Sequence, residues 1–149
     1  MFSKLETTIF AAKKVYLIYR SIMEEQLNFE EWFFQSDYDL ETALHMLQTG
    51  RNIYCIFMCH LSLEKALKGL YIKRLNQFPP KIHNLIYFVE NLALEPEAAH
   101  LDFLVWMNRK GITTRYTEDL KGMISLYPRE RTDDIYQQTK TIQQWIKNL

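Results

Sequence analysis

Residues that make tight turns are scarce in this chain: 4 Gly and 4 Pro among 149 residues, about 5% where ordinary sequences carry ~12%. A sandwich or barrel cannot be assembled from so few turn formers, so an all-α architecture is favoured from the outset. Cysteine is scarcer still. Cys55 and Cys59 are too few and too close together to act as a disulfide framework, and they read as thiols in a reducing compartment. They lie one helical turn apart beside His60, but a metal ion needs at least one more ligand at workable spacing and the local sequence supplies none. No metal or cofactor is expected. A long apolar run is also missing: Ile9 to Tyr19 is broken by Lys13 and Lys14, is too short to span a bilayer, and lacks a small-residue cleavage site. The expectation is a soluble, cytoplasmic protein with no membrane contact. An excess of one charge is the last absence. With 18 Lys+Arg against 18 Asp+Glu there is no general attraction to polyanions, and any nucleic-acid or nucleotide contact has to be local.

At 48% hydrophobic the chain can bury the core of one compact domain. Ser3 to Gln26 is helical in composition but has no clean apolar stripe. Met23 precedes an acidic segment, so residues 1–22 read as a loosely packed extension or a matter of start-site choice. Residues 1–27 are taken as an N-terminal helical extension and 28–149 as the domain. Asn28 and Glu31 have the spacing of a capping box for a helix through Gln48, ended by Gly50. Along it Trp32, Leu40, Ala43, Leu44 and Leu47 form one apolar side, leaving Asp37, Glu41 and Gln48 for solvent. A second helix is predicted over Asn52–Asn76, interrupted only by Gly69 and stopped by Pro79 and Pro80. A shorter one follows over His83–Leu92. Another starts at Pro96, carries Leu101, Leu104, Val105 and Asn108 on one face, and closes at Gly111. Thr113–Arg131 is irregular, with a break at Tyr127-Pro128. A last helix over Thr132–Lys147 bears Ile135, Thr139, Ile142 and Ile146, with Trp145 alongside. The sum is a bundle of four main helices with shorter pieces, wrapped around a central helix.

At 100° per residue, Ile53, Ile56, His60, Leu63, Glu64, Leu67 and Tyr71 of the second helix fall within roughly 120° of one another. Two ionisable groups, His60 and Glu64, therefore sit in the buried stripe, with Lys68 one turn further on its flank. An unpaired charge there costs several kcal/mol, so the group has to be paired or has to face a cleft. One reading is a structural network, because Glu64 to Lys68 is the favourable order for an i,i+4 pair and His60 can share the carboxylate. The other is a polar pocket that meets a ligand. Spacing leaves both open.

Taken together, Trp32, Asp39-Leu40, Ala43 and Leu47, then Gly50, Tyr54 and Phe57, Cys59-His60, the Glu64-Lys65-Ala66-Leu67-Lys68 segment, Pro80, Lys81, His83 and Leu85, Asn108, Arg115-Tyr116 and Trp145 resemble the HEPN domain family, in its small stand-alone prokaryotic form. The resemblance covers about residues 28 to 147. It implies an antiparallel, up-and-down four-helix bundle that commonly forms a homodimer and is commonly paired with a minimal nucleotidyltransferase, as in toxin–antitoxin modules. Some members bind nucleotides and others cleave RNA. The cleaving members carry Arg, four to six residues, then His, which joins a cation to a proton-transfer group at a phosphodiester. Here eight residues separate Arg51 from His60, eight separate Arg74 from His83, and no His follows Arg109 or Arg115 in the way the motif requires. Thr117 also stands where related sequences often have Pro.

Nucleotide or phosphate contacts are accordingly expected from Lys65, Lys68, Lys81, His83, Arg115 and Tyr116, with Asp39, His60 and Glu64 as a supporting polar network and no catalytic residue. Lys81 and His83 stand at a predicted helix start whose free N–H groups favour an anion. Arg115 can clamp a phosphate while Tyr116 stacks on a base, or Arg115 can instead pair with Asp39 or Glu64. Lys65 read alone is a solvated lysine. Phe29, Trp32, Phe33 and Phe34 are too crowded for one helix to bury on one side, and with Phe103 and Trp106 they suggest a patch for a second subunit or partner. The reading is a non-catalytic binding partner of a nucleotidyltransferase. The alternative is a metal-independent ribonuclease toxin using His60 or His83 with Arg115. Whether RNA is a ligand is left open.

Overall fold

A computed structural model describes residues 4–26, 28–114 and 117–149. Among them are seven helices: α1 (Lys4–Gln26), α2 (Phe29–Gln48), α3 (Asn52–Leu75), α4 (Leu85–Asn91), α5 (Ala98–Thr113), α6 (Leu120–Leu126) and α7 (Arg129–Asn148). The all-α bundle expected from the sequence is the observed fold.

Each end of α2 is set by local chemistry. Asn28 Oδ1 accepts from the Glu30 and Glu31 amides at 3.0 and 3.3 Å. The reciprocal half of the predicted box is replaced, because the Glu31 carboxylate takes the Gln35 amide one turn on, at 2.8 Å, which is its nearest side-chain donor on the helix surface. At the other end Gly50 adopts φ +73°. The Arg51 amide reaches back to Met46 O and the Gly50 amide to Leu47 O, which satisfies two terminal carbonyls and turns the chain into α3.

α3 is the axis of the molecule. It packs on α2, α4, α5, α6 and α7, and the whole predicted stripe from Ile53 to Tyr71 is buried, as are Cys55, Cys59, Ala66 and Leu70 on its other sides. Gly69 belongs to this packing. A Cβ there would lie 2.6 Å from the ring of Phe33, so the helix-propensity cost of glycine is the condition for α2 and α3 to approach each other.

Differences from the predicted elements have physical causes. Gly111 does not end α5, which runs on to Thr113. Instead, a Cβ at 111 would run into the His60 ring, so glycine serves the contact between α5 and α3. The buried side of α5 is Phe103, Leu104 and Met107, while Leu101 and Val105 are 39% and 36% exposed, so the helix is rotated about its axis from the predicted face. The segment after Thr113 contains α6, capped by Asp119 Oδ1 on the Gly122 amide at 2.9 Å. The break at Tyr127-Pro128 is present and fixed: Asn52 Nδ2 donates to Tyr127 O at 2.9 Å, and Thr132 Oγ1 to Pro128 O at 2.9 Å. Pro128 caps α7 and so starts it at Arg129, three residues before the predicted Thr132. In α1, Val15, Tyr16, Leu17 and Ile18 are all more than half exposed.

Candidate functional site

The chemistry expected of the central helix converges on one carboxylate. Glu64 is 5% exposed. Its Oε1 accepts from Lys68 Nζ at 2.6 Å, and its Oε2 lies 2.9 Å from His83 Nδ1 and 3.9 Å from His60 Nδ1. Burial pushes the Glu64 carboxyl upward. The hydrogen bonds from Lys68 and His83, with their charges, outweigh it and leave the group below its usual range. An ionised carboxylate only accepts, so Nδ1 of His83 carries the proton in that bond, and Nε2 is turned away from it. The His83 side chain is 54% exposed while Lys68 is 7% exposed. The site thus presents a solvent-facing imidazole anchored on an internal ion pair.

His83 is held there by the start of α4. Contrary to expectation, the helix begins at Leu85, with Asn84 as its cap. Asn84 Oδ1 accepts from Ile86 N and Tyr87 N at 3.0 and 3.1 Å, and Asn108 Oδ1, reaching across from α5, accepts from Leu85 N at 2.7 Å. The three first-turn amides are consumed by side chains, which corrects the expectation that they are free for an anion. Lys81 is exposed, two residues before His83 in the same connection.

Lys65 and Lys68 of α3 are committed to acids. Lys65 Nζ pairs with Asp39 Oδ2 at 2.7 Å, so the charge of Asp39 is met from the neighbouring helix. Lys68 meets Glu64 and also lies 5.6 Å from the centre of the Trp32 ring. Arg115 and Tyr116 lie outside the described residues. His60, Glu64, Lys68 and His83 therefore form one cluster, Asp39 and Lys65 an adjoining pair, and Lys81 stands exposed beside them.

Two features escaped sequence reasoning. Asn108, read as sharing a face with Leu104 and as part of the family resemblance but given no role, accepts from the Leu85 amide and fixes the start of α4. The second is a buried polar knot joining α2, α3 and α7. Ser36 Oγ donates to Ser62 O at 2.7 Å, Ser62 Oγ donates to Ser36 O at 2.9 Å, and Gln143 Nε2 donates to Ser36 Oγ at 3.0 Å and to Asp37 Oδ1 at 2.8 Å. Ser36 does fall at helical spacing from Ala43 and Leu47, a signal available in the sequence. No group of three or more His, Cys, Asp or Glu side chains suited to a metal ion occurs among the described residues.

Chemically, the cluster offers an oriented imidazole with a free ring nitrogen and an exposed ammonium two residues away. That combination can accept a proton or hold an anionic oxygen.

The family model described as HEPN domain matches residues 29–149. Among solved structures, the chain is similar to TT1696 from Thermus thermophilus, with a TM-score of 0.67, 20% identity, and coverage of 81% of this chain and 97% of that one. It is also similar to ST0689, described as an archaeal HEPN homologue, with a TM-score of 0.64, 21% identity, and coverage of 81% and 96%. At these identities the likeness is one of fold. Among curated proteins none matches.

Proposed function

The chain belongs to the HEPN domain family, and from that premise we propose that it is a cytoplasmic, non-catalytic module that binds a nucleotide or another phosphate-bearing ligand and acts as the homodimeric partner of a nucleotidyltransferase, in the manner of toxin–antitoxin pairs. The observation that carries this reading is His83: an imidazole 54% exposed, with Nδ1 fixed 2.9 Å from a buried carboxylate, next to the exposed Lys81. Because Lys65 and Lys68 are neutralised by Asp39 and Glu64, the side chains available to a phosphate are Lys81, His83 and, by family resemblance, Arg115, with Tyr116 next to it in sequence. Lys65 and Lys68 act through the acids they hold. Membrane partners are not part of the proposal. No helix among the described residues is long and apolar enough to cross a bilayer.

Calorimetry and thermal unfolding with ATP test the binding. A ligand at 100 times its Kd stabilises the folded state by about 2.7 kcal/mol. The wild-type chain is expected to show that rise, and Lys81→Ala/His83→Ala to lose it, each protein being compared with its own unliganded melting temperature because loss of the His83–Glu64 bond lowers that of the variant. No rise in either protein would leave a purely structural role.

The Glu64–His83 hydrogen bond favours a second reading, because a buried carboxylate that orients an imidazole is also how a general base is held. In that case the protein is a metal-independent ribonuclease toxin in which His83, or His60, works with Arg115. Incubation with structured RNA in the presence of a chelator separates the two. Cleavage abolished by His83→Ala and by Arg115→Ala would replace the binding reading, and intact RNA would retain it.

A further inference from the structure

α1 carries an apolar surface that its own chain leaves open. Phe10 is 72% exposed and Leu17 52%. An isolated helix of this length is marginal in water, and a contiguous exposed apolar face marks a contact surface. At 100° per residue Phe10 and Leu17 lie almost in line, two turns apart, and Lys13 and Lys14 flank that line by about 50° on either side. The face is thus an apolar ridge with one cation on each shoulder.

A groove of matching form lies between α5 and α7. Both helices pack on α3, and the depression between them is lined by Phe103, Trp106 and Ile135, with Asp102 on the α5 rim and Asp134 on the α7 rim. It continues past Ala99 and Gln138 toward Ile142. Arg131, also on its wall, is engaged elsewhere: its guanidinium lies 4.7 Å from the Tyr127 ring centre and donates to Leu126 O at 2.8 Å. Asp102 and Asp134 have no ion-pair partner among the described residues.

We propose that α1 of one copy docks in the α5–α7 groove of a second copy, seating Phe10 and Leu17 on Phe103, Trp106 and Ile135 and bringing Lys13 and Lys14 to the Asp102 and Asp134 carboxylates. An apolar ridge between two cations fits an apolar floor between two anions. The occupant is a second copy because the connection from α1 to α2 is short. From Gln26 to Phe29 the chain spans at most about 10 Å. α2 packs on α3 and α7 and has no comparable packing on α5, so the groove lies on the far side of α7 from α2, and an α1 bound to its own groove has to pass more than one interhelical spacing, each about 8–10 Å. Exchange in both directions closes a two-fold dimer with two equivalent contacts. The arrangement is independent of the nucleotide-binding reading and uses none of its residues.

Cross-linking in the full chain tests it. Leu17→Cys and Gln138→Cys are made separately, mixed and oxidised; the native Cys55 and Cys59 are buried and stay silent. A disulfide-linked heterodimer is expected. Its yield should fall about tenfold in a Lys13→Glu/Lys14→Glu background, fall likewise with Asp102→Lys/Asp134→Lys in the partner, and return when the two reversals are combined. Circular dichroism of each variant checks that the helices are retained. Three results overturn the proposal: no cross-link between copies, a cross-link formed only within a chain that carries both cysteines, or a yield indifferent to the charge reversals. Binding of phosphatidylserine vesicles that depends on Lys13 and Lys14, without any cross-link, would reassign α1 to a membrane surface.

Discussion

Glu64 shows how a single side chain can hold several elements in place. It is an acid in the buried stripe of α3, and its desolvation is opposed by Lys68 on its own helix and by His83 from the connection to α4. Removing one partner of such an internal pair is more costly than removing both, because the survivor is left charged without compensation. Glu64→Gln should therefore destabilise the fold by about 3 kcal/mol, while Glu64→Leu/Lys68→Met, which removes both charges at similar volume, should recover most of that loss; urea unfolding midpoints measure both. The pH dependence follows from the direction of the shift. A carboxyl held lower in the folded state than in the unfolded chain contributes its stability above the unfolded value of about 4.3 and loses it as pH falls through the folded value. The wild-type melting temperature should decline across that acid range, and the Glu64→Gln substitution should flatten this limb of the curve. An unchanged acid limb in that variant would mean that the carboxylate is not held as the geometry implies.

At the scale of elements, the placement of His83 depends on how α4 begins. Asn84 covers two amides of the seven-residue helix and Asn108 the third, so α5 registers α4 and with it the imidazole. Asn108→Ala leaves a partly buried amide without an acceptor and should cost about 1–2 kcal/mol. It should also weaken ATP binding by loosening the His83 connection. Asn108→Asp keeps an oxygen at the same atom, in a position the helix N-terminus favours, and should preserve stability. Urea midpoints and ATP calorimetry on the two variants check this pair of expectations. The same helices show what could be read without coordinates. Periodicity disclosed the buried stripe of α3 and the paired acid and lysine on it, because i,i+4 neighbours on one helix are decided locally. Asn28, Gly50 and Pro128 marked helix ends for the same reason. What stayed hidden depends on neighbours distant in the chain. Gly111 and Gly69 look like helix interruptions until His60 and Phe33 are seen against them, and Asn108 reads as one more member of the Leu104 face until Leu85 lies beside it. Lys65 and Asp39 also belong to different helices, so their mutual neutralisation, which bears directly on phosphate binding, was not legible in the spacing of either.

Over the whole molecule, stability is unevenly distributed, and that unevenness can be measured. α3 is enclosed by five helices, and its amides open only when the bundle does, so they should exchange with solvent hydrogen at the rate set by global unfolding. α2 and α7 are tied to it by the Ser36, Ser62 and Gln143 bonds, which give three elements one shared buried polar centre and make their separation costly. α1 has no comparable attachment among the described residues: from Val15 to Ile18 its side chains are more than half exposed, and its backbone bonds are protected only by helix formation itself. In a dilute solution of separated copies α1 should therefore exchange far faster than α3. Docking in the groove of a second copy would change this by mass action, because a bound partner protects in proportion to its occupancy. Amide exchange followed over a roughly hundredfold range of protein concentration should show protection rising in α1 and in the facing residues of α5 and α7, with α3 unchanged. Protection of α1 that is high at every concentration would place it against its own chain. Protection that is low at every concentration would leave Phe10 and Leu17 without the apolar seat that their exposure calls for.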